Sequence, residues 1–268
     1  MNFPFFKKTI KDFKWSIFWY GLGVLLYGAL MMSFFPVMQD MGEEFEKLLE
    51  SYPPAFLQAF GVEIGSFNTF EGFLSVEYLS FMWIIIIGIL IFALGSSIIS
   101  GEVDKGTSEF SFTLPIKRQK IVLEKFAASF FISLIITFIT LITIIIGAYI
   151  VGETPYFKGF LAFFAVAAAL SFFLLAFATF SSSFLSSKGK VYGICGGFFI
   201  LSYIIHVLVG ISDKALDFYF LSFFKYYGSP GGILSSGNID IGNVLVFLVS
   251  GAIFLILALV IAERRDLL

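Results

Sequence analysis

Six stretches of this chain run 21 to 26 residues without a single Asp, Glu, Lys or Arg: Trp15–Val37, Tyr78–Ile99, Phe126–Val151, Phe160–Phe184, Val191–Ile211 and Ile241–Ala262. A helix needs about 20 largely apolar residues to cross a hydrocarbon core of about 30 Å. Buried strands are much shorter than these runs, and barrel strands would alternate polar with apolar residues, which these do not. Composition closes the soluble alternatives. Hydrophobic residues make up 59% and charged residues 13% of the chain, with 38 Phe, against roughly 45–50% and about 25% in soluble domains. Too little polar surface remains to cover a water-soluble globule, which excludes soluble enzymes, disordered chains and disulfide scaffolds. The sequence therefore predicts an all-α membrane protein with six transmembrane helices in one transmembrane domain, residues 1–268. The first run is too long, and lacks the small-residue cleavage site, for a removable signal peptide.

Basic residues set the orientation. Lys7, Lys8, Lys11 and Lys14 precede the first run; Lys105, Lys117, Arg118, Lys120 and Lys125 lie between the second and third. Lys188 and Lys190 lie between the fourth and fifth runs, and Arg264 and Arg265 follow the sixth. Thirteen of the seventeen Lys and Arg thus fall on one side, leaving Lys47, Lys158, Lys214 and Lys225 on the other. The positive-inside rule makes the first side cytoplasmic, with both termini inside. The 38–77 loop has the opposite character, with eight acids against one Lys, and reads as extracellular, as does 212–240.

The connecting segments carry patterns of their own. In residues 1–14, Phe3, Phe6, Ile10 and Phe13 follow helical spacing on one face and Lys7, Lys11 and Lys14 line another. This fits an amphipathic helix lying in the plane of the inner leaflet; an ordinary basic flank would need the lysines but not the Phe stripe. Met38, Met41, Phe45, Leu48 and Leu49 likewise follow helical spacing up to Pro53-Pro54, which reads as a short amphipathic helix, either a lid over the spans or a gate. The 212–240 loop is apolar enough, from Phe218 to Phe224, to dip partway into the membrane, where non-helical backbone is tolerated only if protein buries it or water lines it.

Gly189, Gly193 and Gly197 open the fifth span at four-residue spacing, on one face. Small residues at that interval let helix backbones approach closely, either within the chain or against a second copy. Cys195 and His206 share this span. An intramembrane His is a functional candidate, but no Asp or Glu in any span can pair with it, and a backbone carbonyl or water is its expected partner. The same lack of ionisable groups disfavours a proton- or sodium-driven carrier. One His cannot build a paired-His metal site, one Cys cannot form an intrachain disulfide, and no G-x-x-x-x-G-K-[ST] phosphate loop is present. Any uphill transport must draw its energy from another protein.

The 100–125 segment is the most informative. It reads Gly101-Glu102-Val103-Asp104-Lys105-Gly106-Thr107-Ser108-Glu109-Phe110, then Leu114-Pro115-Ile116-Lys117-Arg118. Thr107 suits a helix N-cap, Val103, Thr107, Phe110 and Leu114 share a face at helical spacing, and Pro115 ends the helix. A short helix of mixed apolar and acidic character suits docking into a groove on a soluble partner, with Glu102 and Glu109 facing basic groups on that partner or on the N-terminal lysines. The structural alternative is that these acids only cap and solvate a short loop.

The Gly101-Glu102-x-x-x-Gly106-Thr107-x-Glu109 run followed by Leu114-Pro115 resembles the permease subunits of ABC-2 type ATP-binding-cassette transporters. So do the amphipathic N-terminal segment, the six spans, the Pro53-Pro54-Ala55-Phe56-Leu57 segment of the long first outer loop, and the closing Glu263-Arg264-Arg265-Asp266-Leu267. The resemblance implies a multi-pass cell-membrane exporter subunit that pairs with a second permease copy or paralogue and with a separate ATPase subunit. That ATPase, not this chain, would bind ATP and Mg, and this chain would hold no cofactor, no catalytic residue and no metal site. On this reading Glu102, Gly106, Thr107, Glu109, Phe110, Leu114 and Pro115 form the ATPase-coupling loop, and the Gly189, Gly193, Gly197 face is a packing or dimer surface. Aromatic and small side chains of spans one, two and five would line a route for an apolar or amphipathic cargo: a drug, antibiotic, peptide or lipid. A membrane anchor or immunity-type protein without transport activity is the alternative from another class.

Overall fold

A computed structural model describes residues 3–41, 44, 47–49, 51–53, 57, 66–106 and 116–264. Helix α1 (Pro4–Asp12) is followed at once by α2 (Lys14–Asp40), then α3 (Phe70–Leu74), which runs into a π turn over Ser75–Leu79. Helix α4 (Met82–Ile98) leads to a stub, α5 (Ser100–Asp104), and then to α6 (Arg118–Ile150), α7 (Phe157–Phe184) and α8 (Lys188–Ile211). A 3-10 segment (Asp213–Leu221) with α9 (Phe223–Tyr227) and α10 (Pro230–Ser236) connects to α11 (Ile241–Arg264). No strand occurs among the described residues.

Helices α2, α6, α7, α8 and α11 are long and apolar enough to cross a membrane, and a sixth span forms if Phe70–Leu79 and Met82–Ile98 are taken together. That pair is bent by 42°, so the stretch expected as one span over 78–99 is a straight α4 entered through a kinked lead. The cause is local. In the π turn the Ser80 N–H reaches back five residues to the Ser75 carbonyl, which disturbs the helical ladder. Tyrosines from elsewhere meet the carbonyls here: Tyr27 Oη donates to Glu77 O (3.2 Å) and Tyr227 Oη to Leu79 O (3.0 Å). Kinks of this kind arise at such bulges. The kinked lead also packs on α2, where Phe35 meets Phe70 edge-on at 5.3 Å.

Helix α7 is the axis of the fold. In its most apolar stretch 67% of residues are buried, against 11% in α8 and 17% in α11, and it packs on α4, α6, α8 and α11. Its alanines make this possible, because Ala167, Ala169, Ala176 and Ala178 are all buried. Opposite Ala178 stands Gly95 of α4, where an added Cβ would collide with the alanine; without lipid-excluding hydrophobic force, such close backbone approach is what holds spans together. Ser171, Thr179, Ser181, Ser182 and Ser183 are buried along the same helix.

The 212–240 connection is built from short helical segments that pack on the core. Phe223, Phe224, Tyr227 and Leu234 are buried, and Tyr227 stacks on Trp83 with planes 9° apart. Gly159 at the start of α7 lies so close to the Leu234 carbonyl that no side chain would fit there. In the 38–77 stretch, Met38 is part of α2, Leu48 is exposed, and Leu49 and Leu57 are buried; Phe45 and Pro54 lie outside the described residues.

Candidate functional site

The basic residues gather at one end of the bundle, and there the chain builds its most elaborate polar structure. Helix α4 breaks at Ile99 (φ −122°, ψ −61°) before α5 begins, which leaves backbone groups without ladder partners. A buried break must find partners elsewhere. Ser182 of α7 supplies them: its Oγ accepts from Ser100 N (2.8 Å) and Ile99 N (3.3 Å). Ser100 Oγ lies within hydrogen-bonding distance of Ser182 O and Leu185 O, each at 3.0 Å. The carbonyl of Ile98 accepts from Lys125 Nζ at 3.2 Å.

Lys125 then does a second thing. Its Nζ meets Glu102 Oε1 at 2.6 Å, and both side chains are largely inaccessible, at 7% and 15% exposure. An ion pair so shielded holds together because each charge has a close, hydrogen-bonded partner. The root of α5 is thereby tied to α6 through Lys125 and to α7 through Ser182. The Lys188 stem at the start of α8 lies against Gly101. Gln119 of α6 donates to Glu263 of α11 at 2.6 Å, and the Phe5 N–H of α1 donates to Glu124 Oε2 at 3.0 Å. One end of the molecule thus brings together α1, α5 and the ends of α4, α6, α7, α8 and α11.

Glu102 therefore has a charge partner, Lys125, inside the chain. Helix α5 stops short of Gly106, whose φ of +66° belongs to the left-handed region; that conformation suits glycine and cannot continue a right-handed helix. Val103, half-buried against the core, accordingly belongs to this five-residue stub and not to a helix running on past Gly106. Thr107, Glu109, Phe110, Leu114 and Pro115 lie outside the described residues. Sequence reading overlooked Lys125 and Ser182. Lys125 had a visible signal, as the last charge before a 26-residue apolar run; the run Ser181-Ser182-Ser183 near the end of another was a weaker one.

The glycine face of α8 is bare. A Cβ added at Gly189, Gly193 or Gly197 would meet nothing within 4 Å, so this surface is not consumed by packing against the described residues. Cys195 is fully buried and points away from it. Among the described residues His206 meets a side chain rather than a backbone carbonyl: its Nδ1 lies 3.0 Å from Tyr219 Oη, and the ring stacks on Phe224 at 5.3 Å. Burial raises the Tyr219 phenol above its ordinary pKa, and the imidazole tautomer sets which of the two donates. Between α2 and α6 an apolar cleft of about 380 Å³ is lined by Leu25, Met32, Ile142, Thr143, Ile146 and Ile150.

The family model described as ABC-2 family transporter protein matches residues 7–267. No curated protein matches the chain.

Proposed function

The chain belongs to the ABC-2 family of transporter proteins, and from that premise we propose that it is the permease subunit of an ATP-driven exporter. A separate ABC ATPase, which permeases of this family normally pair with, docks at the basic end of the bundle through the 100–125 segment. That end faces the cytoplasm, as the distribution of Lys and Arg requires, with α1 in the plane of the inner leaflet and the cell membrane as its site. ATP and Mg bind to the ATPase. The cargo is apolar or amphipathic, in keeping with the apolar cleft between α2 and α6 and with spans whose one imidazole, His206, lies against Tyr219.

The observation that carries this reading is the clamp at the root of α5. A docking element transmits force only if its base cannot slip. Here the base is joined to α4 by one residue, to α6 by Lys125 and to α7 by Ser182. Movement of an ATPase against 102–115 would displace three packed spans at once. Phe110 and Leu114 supply the apolar contacts, since central aromatic and aliphatic anchors usually carry most of an interface's energy. The bare glycine face of α8 receives a second permease copy or a close paralogue, giving a dimer with the cargo route between the two.

Co-purification of the chain with its ATPase, followed by cargo-stimulated hydrolysis, tests the proposal. Phe110→Ala should cut ATPase retention by roughly thirtyfold if the anchor is worth at least ~2 kcal/mol. Glu102→Ala should keep the ATPase bound yet lower stimulation, because it loosens the base rather than the contact. Wild-type retention and stimulation in both variants would place coupling elsewhere, and ATPase binding with no transport of any cargo would favour the anchor or immunity role.

A further inference from the structure

Beside the coupling clamp, and separate from it, α1 and the first turns of α6 enclose a cleft of about 630 Å³. One wall is apolar: Phe3, Phe6, Leu123 and Ala127. The other carries charge: Lys117, Lys120 and Glu124. Phe3 and Leu123 are 46% and 43% exposed, a cost in water that an acyl chain would remove.

Glu124 is the unusual member. Its side chain is 6% exposed, deep for a carboxylate. Oε2 is used, accepting the Phe5 N–H, but Oε1 is buried and accepts no hydrogen bond. Lys120 Nζ stands 4.0 Å from it, beyond hydrogen-bond reach, on a side chain that is 57% exposed. A buried carboxylate oxygen left without a donor is costly, and it sits between an apolar wall and two exposed lysines.

We propose that this cleft binds a glycerophospholipid of the cytoplasmic leaflet that carries a primary ammonium head group. The phosphate draws Lys117 and the exposed Lys120 head toward itself. The ammonium then takes the place beside Glu124 Oε1 that Lys120 holds only at a distance, and gives that oxygen an N–H donor. One acyl chain lies along Phe3, Phe6, Leu123 and Ala127. A quaternary head group has no N–H to give, and an anionic head group without an amine would satisfy the lysines but leave Glu124 as it is. The lipid thereby fastens α1 to α6 at the point where Glu124 already holds the Phe5 N–H. The placement rests on this end of the bundle facing the cytoplasmic leaflet, but not on ATPase docking.

Native mass spectrometry of the delipidated full chain in detergent, titrated with dioleoyl phosphatidylethanolamine, its mono-, di- and trimethylated analogues and dioleoyl phosphatidylglycerol, tests this without any assumption about topology or transport. Wild-type protein should prefer the primary amine to the trimethylated head group by about tenfold, as expected for a charge-assisted hydrogen bond, with the last methylation causing a loss. Glu124→Gln, which keeps an oxygen for the Phe5 N–H but removes the charge and puts an NH2 donor in place of the second oxygen, should bring the ratio close to one. Lys117→Ala with Lys120→Ala should weaken all the zwitterionic lipids together and leave the ratio intact. Equal binding across the methylation series, a preference that survives Glu124→Gln, or tightest binding of phosphatidylglycerol would overturn the proposal. The last result would reduce the cleft to an ordinary basic surface. The methylation series on unaltered protein gives the answer even if Glu124→Gln does not fold.

Discussion

At the scale of single residues, Lys125 joins two elements with one ammonium. It closes the ladder at Ile98 and neutralises Glu102 with the same ammonium. Removing one member of a shielded pair strands the other, at a cost of about 3 kcal/mol. Lys125→Ala should therefore lower the unfolding free energy of the purified chain by ~3 kcal/mol. The Lys125→Ala/Glu102→Ala double variant should lose clearly less than the sum of the two single changes. Thermal unfolding followed by tryptophan fluorescence in detergent measures this, and simple additivity would mean that the pair contributes nothing as a pair. Glu102 was legible in sequence as a special residue, because it stands in a short polar insert between apolar runs. Its partner was not, since positive-inside reasoning counts lysines by side of the membrane and gives no sign of which one turns inward. His206 repeats the point: its isolation among apolar residues was plain, but Tyr219 is thirteen residues away in a connection whose folding back no periodicity records.

At the scale of elements, the long helices were legible because a single physical requirement, satisfying the backbone without water, fixes their type, but α6 begins at Arg118, eight residues before the apolar run at Phe126, inside the segment read as a loop. What composition could not place was the interruption of that rule. The kink before α4 depends on Tyr27 and Tyr227 arriving from α2 and α9, and only the assembled bundle supplies them. Tyr227→Phe should cost about 1 kcal/mol through the unpaired Leu79 carbonyl and increase amide exchange over Ser75–Leu79, both readable by hydrogen exchange. Glycines divide into two kinds that sequence alone does not separate. Gly95→Val should disrupt the α4–α7 crossing, where even a methyl group collides with Ala178, and reduce the yield of folded protein. Gly193→Ala faces open space and should leave the monomer's thermal stability unchanged to within about 0.5 kcal/mol. Size-exclusion profiles after graded heating compare the two.

At the scale of the whole molecule, the exposed flank formed by α2, α8 and α11 contrasts with the buried axis of α7. If the glycine face meets a second copy, Gly193→Cys in a Cys195→Ser background should yield a disulfide-linked dimer in membranes, whereas cysteine at exposed Leu161 should not. Native Cys195 is too deeply buried to report on that face. Orientation has its own measurement. Ser51→Cys should react with a membrane-impermeant maleimide in intact cells and Lys105→Cys only after permeabilisation; the reverse pattern would invert the topology. The Ser100–Ser182 knot also sets a condition on synthesis. The break that ends α4 is made 82 residues before the serine that caps it. Until α7 has left the ribosome and entered the bilayer, the bare amides of Ile99 and Ser100 stand at the membrane edge with nothing from the chain to meet them. A chain truncated before α7 keeps those amides bare, and it should be degraded faster in membranes than the full chain, a difference pulse–chase measurement reads.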